Sequence, residues 1–566
     1  MKKSIVNYSS IILLSTLPYL LTKVIRVEKS LTIITLVFLA LILFFYSYIS
    51  KIEDKNLGRV IELLNKLPLL FYFFALFIFI FISQNLYLNI EVITWDVPSY
   101  LVSSIDVKNG NLPFETQWES KGPLLTYIYY ILSSLSNGVY AYFRVINDFI
   151  IFAISLILFF SVYSINKNKV LSGIAALVFS SMVSMRWYVS EYSEFYCLLL
   201  ISLSYLLYIK NPGVTKIYYI IGFLISLSSL INQATLLFII PYIILIFNSN
   251  KEKAKKLIVI SLSVLIPHIF VQIIYQVNDL YNIYIANYLL IPIGYSNDVS
   301  ESSIYEMTVW FREFFNYNKL LYLSLIGIIF SFIKSIDLKE SDLLKKYLFD
   351  LYYLNLITSI ALYFIGSHNY AHHLIYFIFF LSLLVAKIPF SNFHFVIGLL
   401  IFVASSSIFV KSYENSSYNL RNINSVQENY PLYKLSKEIE NSFSEEYSIF
   451  ALDYVMILYY LDKPNYSYIV HPTNHFEDYI SEVLIRFNKI EGNKVNKLLK
   501  SNPDVIICTL ERVHQGKGLK NTEFSCDYDD YKDGYIKLDT EQYRKDRNLE
   551  FYWDPYKSLN VFIREK

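Results

Sequence analysis

The chain has 566 residues, 55% of them hydrophobic and 18% aromatic, with a mean hydropathy of +0.41, a composition that excludes an ordinary soluble globular protein and implies a polytopic membrane protein. Its 49 basic and 47 acidic residues leave a formal charge of +2, so no nucleic-acid partner is expected. Fifteen glycines are few for a transporter built on broken, closely packed helices, and the three cysteines, Cys197, Cys508 and Cys526, have neither zinc-site nor disulfide-framework spacing, with a Cys508–Cys526 pair left open if that region is exported.

A membrane span needs roughly 20 apolar residues. Candidate runs are 4–21, 31–49, 67–88, 145–163, 171–187, 195–208, 217–231, 234–247, 257–275, 320–333, 348–365, 374–386 and 395–410, which makes about thirteen passes. The start, MKKS, leads into apolar sequence without a small-residue cleavage site, so it reads as a retained span. Lys2 and Lys3, Lys51 to Lys66, Lys167 and Lys169, Lys210 and Lys216, Lys251 to Lys256, and Lys334 to Lys346 fall on one side of this map, which is therefore cytoplasmic in a multi-pass plasma-membrane protein. The loop with Lys23, Arg26 and Lys29 breaks that rule.

The first outer loop, 89–141, contains a further apolar stretch, 122–136. If it crossed, every later basic loop would move outside, so it is expected to lie along the outer interface as an amphipathic juxtamembrane helix, with Tyr127, Tyr129 and Tyr130 at headgroup level. Segment 99–109 is expected to do likewise. Residues 1–410 thus read as a helical membrane domain. From Lys411 the composition becomes mixed, and YSIFALD, SYIVH, PDVIICTL and LNVFIREK alternate with helical stretches, which reads as a small extracytoplasmic α/β domain over 411–566. No nucleotide-binding glycine fingerprint, nucleophile elbow or fixed repeat is present.

The unusual polar residues collect in the outer loops. Asp96, in TWDVPSY beside Tyr100, suits a general base at the interface, or a solvated loop acid. Lys121, in ESKGPL, suits a lipid-linked phosphate at headgroup depth, or ordinary snorkelling. Arg144 and Asp148 lie four apart on one helix face and are expected to pair, as a clamp or a phosphate site. In MRWYVSEYSEF, Glu191 and Glu194 compete as a second acid that would bind an acceptor or a metal, while Glu194 also suits a helix cap. Asn232, Gln233 and the amide- and tyrosine-rich 281–288 loop suit sugar hydroxyls or an aromatic belt. His368 and His372 stand at i and i+4 without a zincin glutamate, favouring phosphate or sugar contact over metal. His268 reads as packing, and His471 and His475 read as domain surface.

An acid after an early span with a tyrosine four residues on, a K-x-P-L juxtamembrane motif, an Arg-bearing span and then an acid at a helix start recur in that order over roughly 67–386. This resembles the GT-C superfamily of membrane glycosyltransferases, in the protein-mannosyltransferase-like and aminoarabinose-transferase-like branch. Two departures stand out. Asp96 is followed by Val97 where an Asp-Glu pair is frequent, and Lys121 is followed by Gly122-Pro123 where two prolines are frequent.

The resemblance implies transfer of a hexosyl or pentosyl group from a polyprenyl-phosphate donor to a lipid, glycan or protein acceptor outside the cytoplasm, with inversion. It casts Asp96 and Glu194 as catalytic acids and Lys121, Arg144 and His372 as groups at the donor phosphate. Tyr100, Glu191, Gln233 and His368 remain candidates for substrate contact, and a divalent metal ion is left open. A lipid-linked glycan polymerase or ligase, or a non-catalytic polysaccharide or lipid transporter, are the alternatives.

Overall fold

The computed structural model describes residues 62–249, 252–297, 303–335, 350–365, 370–387, 392–491, 498, 500–509, 526, 531, 533–544 and 559–565. The two candidate spans at 4–21 and 31–49, the basic loop between them, and His368 lie outside the described residues.

The hydrophobic runs that fall on described residues become helices. The longer ones, in chain order, are α1 (Leu69–Gln84), α2 (Asp96–Lys108), α3 (Pro123–Leu135), α4 (Tyr140–Asn166), α5 (Lys169–Val183), α6 (Ser193–Lys210), α7 (Thr215–Ile231), α8 (Ile239–Asn248) and α9 (Lys253–Val277). After these come α10 (Ser303–Tyr317), α11 (Lys319–Ser335), α12 (Leu351–Ile365), α13 (Ile375–Leu383), α14 (Asn392–Arg421), α15 (Pro431–Asn441) and α16 (Asp478–Arg486).

Among the described residues, five helices are long and apolar enough to cross a membrane: Leu69–Tyr87, Tyr140–Asn166, Ser193–Lys210, Lys253–Val277 and Ile397–Arg421. Shorter apolar helices fill the spaces between them. Large apolar side chains such as Phe74, Ile258, Phe270 and Phe402 remain exposed on the outside, as lipid-facing surfaces require.

Local chemistry sets the helix ends. The Asn168 side chain accepts from Val170 N–H and Leu171 N–H and starts α5, satisfying donors that an uncapped helix leaves open. Pro123 opens α3 at a position where a missing N–H costs nothing. The Glu91 carboxylate accepts from Leu432 N–H at 2.9 Å and Tyr433 N–H at 3.1 Å. The first outer loop thereby caps the positive end of α15, more than 300 residues away in sequence.

Beyond α14 a four-stranded sheet forms in the order β1 (Ile449–Ala451), β2 (Val505–Thr509), β4 (Leu559–Arg564), β3 (Tyr535–Lys537). β1 and β2 are parallel, with Ile449 opposite Val505, and β4 runs antiparallel to both β2 and β3. Three of the four expected strand segments are thus present. SYIVH instead makes an isolated parallel bridge, Ile469 to Trp118. Cys508 and Cys526, whose spacing suggested no framework, form a disulfide that closes an 18-residue separation over this sheet.

The first outer loop and the sheet form one surface. Trp118 N–H donates to Tyr468 O at 2.6 Å and Val470 N–H to Trp118 O at 3.2 Å. Beside them the Gln117 side chain donates to Asn465 O at 3.0 Å and accepts from Asn465 N–H at 2.8 Å. A separate apolar cluster containing Phe114, Trp118, Tyr275, Tyr284, Ile469 and Ile480 fills the space beneath. α3 is amphipathic as expected, but Tyr129 is fully buried, with its hydroxyl donating to Glu191 O. Its ring meets Tyr100, Phe143 and Tyr196, so helix packing claims it and only Tyr127 and Tyr130 keep partial exposure.

Candidate active site

The end of the helical bundle that faces the sheet gathers polar groups from five parts of the chain. Asp96 opens α2, where the helix dipole favours a carboxylate. Its Oδ1 lies 3.0 Å from His471 Nε2 and its Oδ2 lies 3.8 Å from His372 Nε2, and its side chain keeps 24% exposure. His372 sits in the turn Ala371–Leu374, stacked on Tyr192 at 4.6 Å and on Tyr370 at 5.6 Å between ring centroids. Two aromatic faces thus fix its ring plane.

Glu194, in the first turn of α6, is buried and meets one cation and two hydrogen-bond donors. Lys121 Nζ stands 3.6 Å from Oε1, Asn232 Nδ2 donates to Oε1 at 3.2 Å, and Ser193 Oγ donates to Oε2 at 3.0 Å. Asp96, His372, Glu194 and Lys121 therefore form a continuous polar array.

The segment carrying Lys121 is held by its backbone. Gly122 N–H donates to Ile231 O at 2.9 Å, a bond that proline could not make. A Cβ on Gly122 would stand 2.1 Å from Leu230 O, so this position requires glycine, and the departure from the two-proline pattern has a physical cause. Asn287 Nδ2 donates to Lys121 O at 3.0 Å, while Gln233 Nε2 donates to Ser120 O at 3.2 Å and Asn287 O at 3.4 Å. Gln233, a candidate for substrate contact, thus has its amide nitrogen bound to this segment.

Electrostatics follow from the crowding of three carboxylates. Burial would raise the Asp96 carboxyl, but the hydrogen bond from His471 and the positive field of His372 and Lys121 reverse that and hold it well below the usual carboxylate range. Burial raises the Glu119 carboxyl, and neighbouring Asp96 adds to the effect against the pull of His471 and Ser120. Burial would lower the Lys121 ammonium, yet Glu194, Asp96 and Glu119 outweigh it and keep it charged. Tyr100 is buried beside the same acids; desolvation, then Asp96, Glu119 and Glu194, push its phenol well above its ordinary value.

Arg144, Asp148 and Glu191 form a second cluster. Arg144 Nε lies 3.4 Å from Glu191 Oε1, with side chains only 4% and 5% exposed. Arg144 Nη1 donates to Ile90 O at 2.6 Å and Leu88 O at 3.3 Å. The expected Arg144–Asp148 pair does not form: Asn85 Nδ2 donates to Asp148 at 2.5 Å, and Glu191 takes the guanidinium. Helix spacing makes i and i+4 neighbours, but the loop after α5 brings a carboxylate that competes better. Glu191 faces Arg144, whereas Glu194 faces Lys121.

Two histidines expected on the surface are buried instead. His471 and His475 are 9% and 3% exposed, because the chain between β1 and α16 folds against the first outer loop. The sequence signal was slight: a short apolar run ending in His-Pro. Glu119, which no motif marks in the sequence, is buried here too, and its Oε1 accepts from Ser120 N–H at 2.7 Å and Ser120 Oγ at 2.8 Å.

Glu194, His372 and His373 present ligand atoms within 4.8 Å of one another, the types a transition metal uses. They fit a metal poorly. Glu194 already accepts from Asn232 and Ser193, and the Lys121 ammonium 3.6 Å from the carboxylate opposes a dication there.

No protein-family model and no curated protein sequence matches the chain. Solved structures do. ArnT from Cupriavidus metallidurans in the apo state aligns with a TM-score of 0.51 at 11% identity, covering 78% of this chain and 92% of that one. ArnT from the same organism bound to undecaprenyl phosphate aligns at 0.54 and 11%, covering 78% and 93%. A looser likeness, TM-score 0.42 at 13% identity, covering 78% of this chain and 69% of that one, is to the Archaeoglobus fulgidus oligosaccharyltransferase tethered with an acceptor peptide. ArnT is a GT-C membrane glycosyltransferase, so the resemblance read from the motifs holds at the level of the fold.

Proposed function

We propose that the protein is an integral-membrane glycosyltransferase that moves a sugar from a polyprenyl-phosphate donor to a hydroxyl-bearing lipid, glycan or protein acceptor outside the cytoplasm. The observation that carries this reading is the array of Asp96, His372, Glu194 and Lys121 at one mouth of the helical bundle. The fold shared with ArnT supports it, and one ArnT structure was solved with undecaprenyl phosphate. The disulfide between Cys508 and Cys526 suits a domain on the oxidising side of a plasma membrane, with residues 411–566 outside and the N-terminus in the cytoplasm.

In the reaction we infer, the acceptor hydroxyl oxygen gives a lone pair to the anomeric carbon, and the bond from that carbon to the phosphate oxygen breaks. Polyprenyl phosphate departs with that electron pair, and the hydroxyl proton passes to Asp96. A single in-line displacement inverts the anomeric centre, whether the sugar is a hexose or a pentose.

Phosphate is a good leaving group once its charge is met, and Lys121 supplies a fixed positive charge for it. Asp96 is held far below the usual carboxylate range, so it is a weak base before reaction and takes the proton only as the new bond forms. Glu194 orients Lys121, and His372 lines the path between donor and base. Arg144 is a clamp for the chain between α1 and α2 on this reading, and it does not touch donor phosphate. We read the chemistry without a metal.

Asp96→Asn is the direct test. It removes the proton acceptor and keeps the shape, and transfer should fall by roughly 100- to 10,000-fold with membrane insertion unchanged. Transfer at the wild-type rate would remove Asp96 from the role of base. A polyprenyl-diphosphate oligosaccharide consumed as donor would favour a polymerase or ligase, and substrate moved across vesicles without a new glycosidic bond would favour a transporter.

A further inference from the structure

Asp96 does not keep its position unaided. Its backbone N–H donates to Thr94 Oγ1, just before α2, at 3.3 Å, whereas its carboxylate Oδ1 is met by a side chain 375 positions later, His471 Nε2 at 3.0 Å. That histidine is itself fixed from behind. Thr473 N–H donates to His471 Nδ1 at 3.3 Å, and Thr473 Oγ1 lies 2.9 Å from the same nitrogen.

A backbone N–H can only donate, so Nδ1 is the acceptor nitrogen and the ring proton sits on Nε2, aimed at Asp96. The loop carrying His471 is registered on the segment carrying Lys121, through the Trp118 to Tyr468 and Val470 backbone bonds and the two-way Gln117 to Asn465 bonds. The lysine-bearing and histidine-bearing segments are thus set against one another by these bonds.

We propose that His471, supplied by the C-terminal domain, is a positioning residue for Asp96: it occupies Oδ1 and leaves Oδ2, 3.8 Å from His372 Nε2, as the oxygen that receives the acceptor proton. This rests on the transfer reaction proposed above. It gives the C-terminal domain a part in the active site, since α2 alone leaves the Asp96 carboxylate free to rotate, and a carboxylate misplaced by about 1 Å loses roughly 100-fold in rate.

The test uses the full-length protein in four forms: His471→Ala, His471→Gln, Thr473→Val and Asp96→Asn. Product is quantified by mass spectrometry of envelope glycans in cells that lack the native copy. The purified variants are titrated with undecaprenyl phosphate as probe and melted thermally. His471→Ala should cut product roughly 100-fold, with probe affinity and melting temperature unchanged. His471→Gln, whose amide can donate from the position of Nε2, should recover most of it. Thr473→Val, which removes only the hydroxyl behind the ring, should fall between the two.

Wild-type product from His471→Ala would overturn the proposal, as would His471→Gln failing as completely as His471→Ala. A joint loss of probe affinity and melting temperature in both His471 variants would assign the residue to folding and also overturn it. Full activity in Asp96→Asn would instead overturn the parent reading, because the group that His471 positions would then have no catalytic part.

Discussion

Two lysine- or arginine-carboxylate pairs stand close together in this molecule and do different work. Arg144 and Glu191 are sealed at 4% and 5% exposure, with the guanidinium also bound to two backbone carbonyls between α1 and α2. Glu194 is as buried as Glu191, at 2%, but its partner Lys121 keeps 19% exposure, with Asp96 beside it at 24%. Burial raises the Glu191 carboxyl, and the Arg144 charge only partly offsets it, whereas the Asp96 carboxyl is driven down by its neighbours. A sealed pair holds chain in place; an accessible cation beside an ionised acid can meet a charged ligand. Both pairs join a cation to a carboxylate; what separates them is that only Lys121 keeps access to solvent.

That contrast can be broken by exchanging the expected losses. Lys121→Ala should lower transfer by roughly 100- to 1,000-fold, the scale of losing one fixed group that stabilises developing charge, and should weaken undecaprenyl phosphate binding, with a smaller drop in melting temperature than Arg144→Ala because Glu194 keeps its Asn232 and Ser193 donors. Equal binding in a titration would remove Lys121 from the phosphate.

Arg144→Ala should behave the other way. It strands Glu191 in a sealed site at a cost of about 3–5 kcal/mol, so the protein should melt earlier in detergent, while the fraction that stays folded keeps probe affinity. A stable Arg144→Ala variant that had lost undecaprenyl phosphate binding would return Arg144 to the phosphate. The smallest effect expected is from chelation. Exhaustive EDTA treatment should leave transfer unchanged, and a loss restored by zinc would reassign Glu194, His372 and His373 as ligands.

Much of this was legible in the sequence. Eleven of the thirteen hydrophobic runs fall on described residues, and each of those overlaps a helix. Asp96, Lys121, Glu194 and His372 could be picked out by their order and by their places at helix starts and turns. The misses share one cause. The partner of Arg144 comes from a different loop, His471 reaches Asp96 across 375 positions, and Gln233 is used up by carbonyls of the Lys121 segment. Local spacing rules see neighbours within a helix turn; they do not see which side chain another loop will bring. Gly122 was visible as an oddity, but the 2.1 Å approach to Leu230 O that requires it appears only in the packed structure.

The central claim is that this chain consumes a polyprenyl-phosphate sugar. Mass spectrometry of polyprenyl-phosphate sugars and envelope glycans, in a strain lacking the protein and in the same strain carrying Asp96→Asn, tests it most directly. The account predicts that one polyprenyl-phosphate sugar accumulates and one glycan modification disappears in both, and that the wild-type gene reverses both changes. Lipid-linked sugar and glycan profiles identical to those of the parent strain would contradict it.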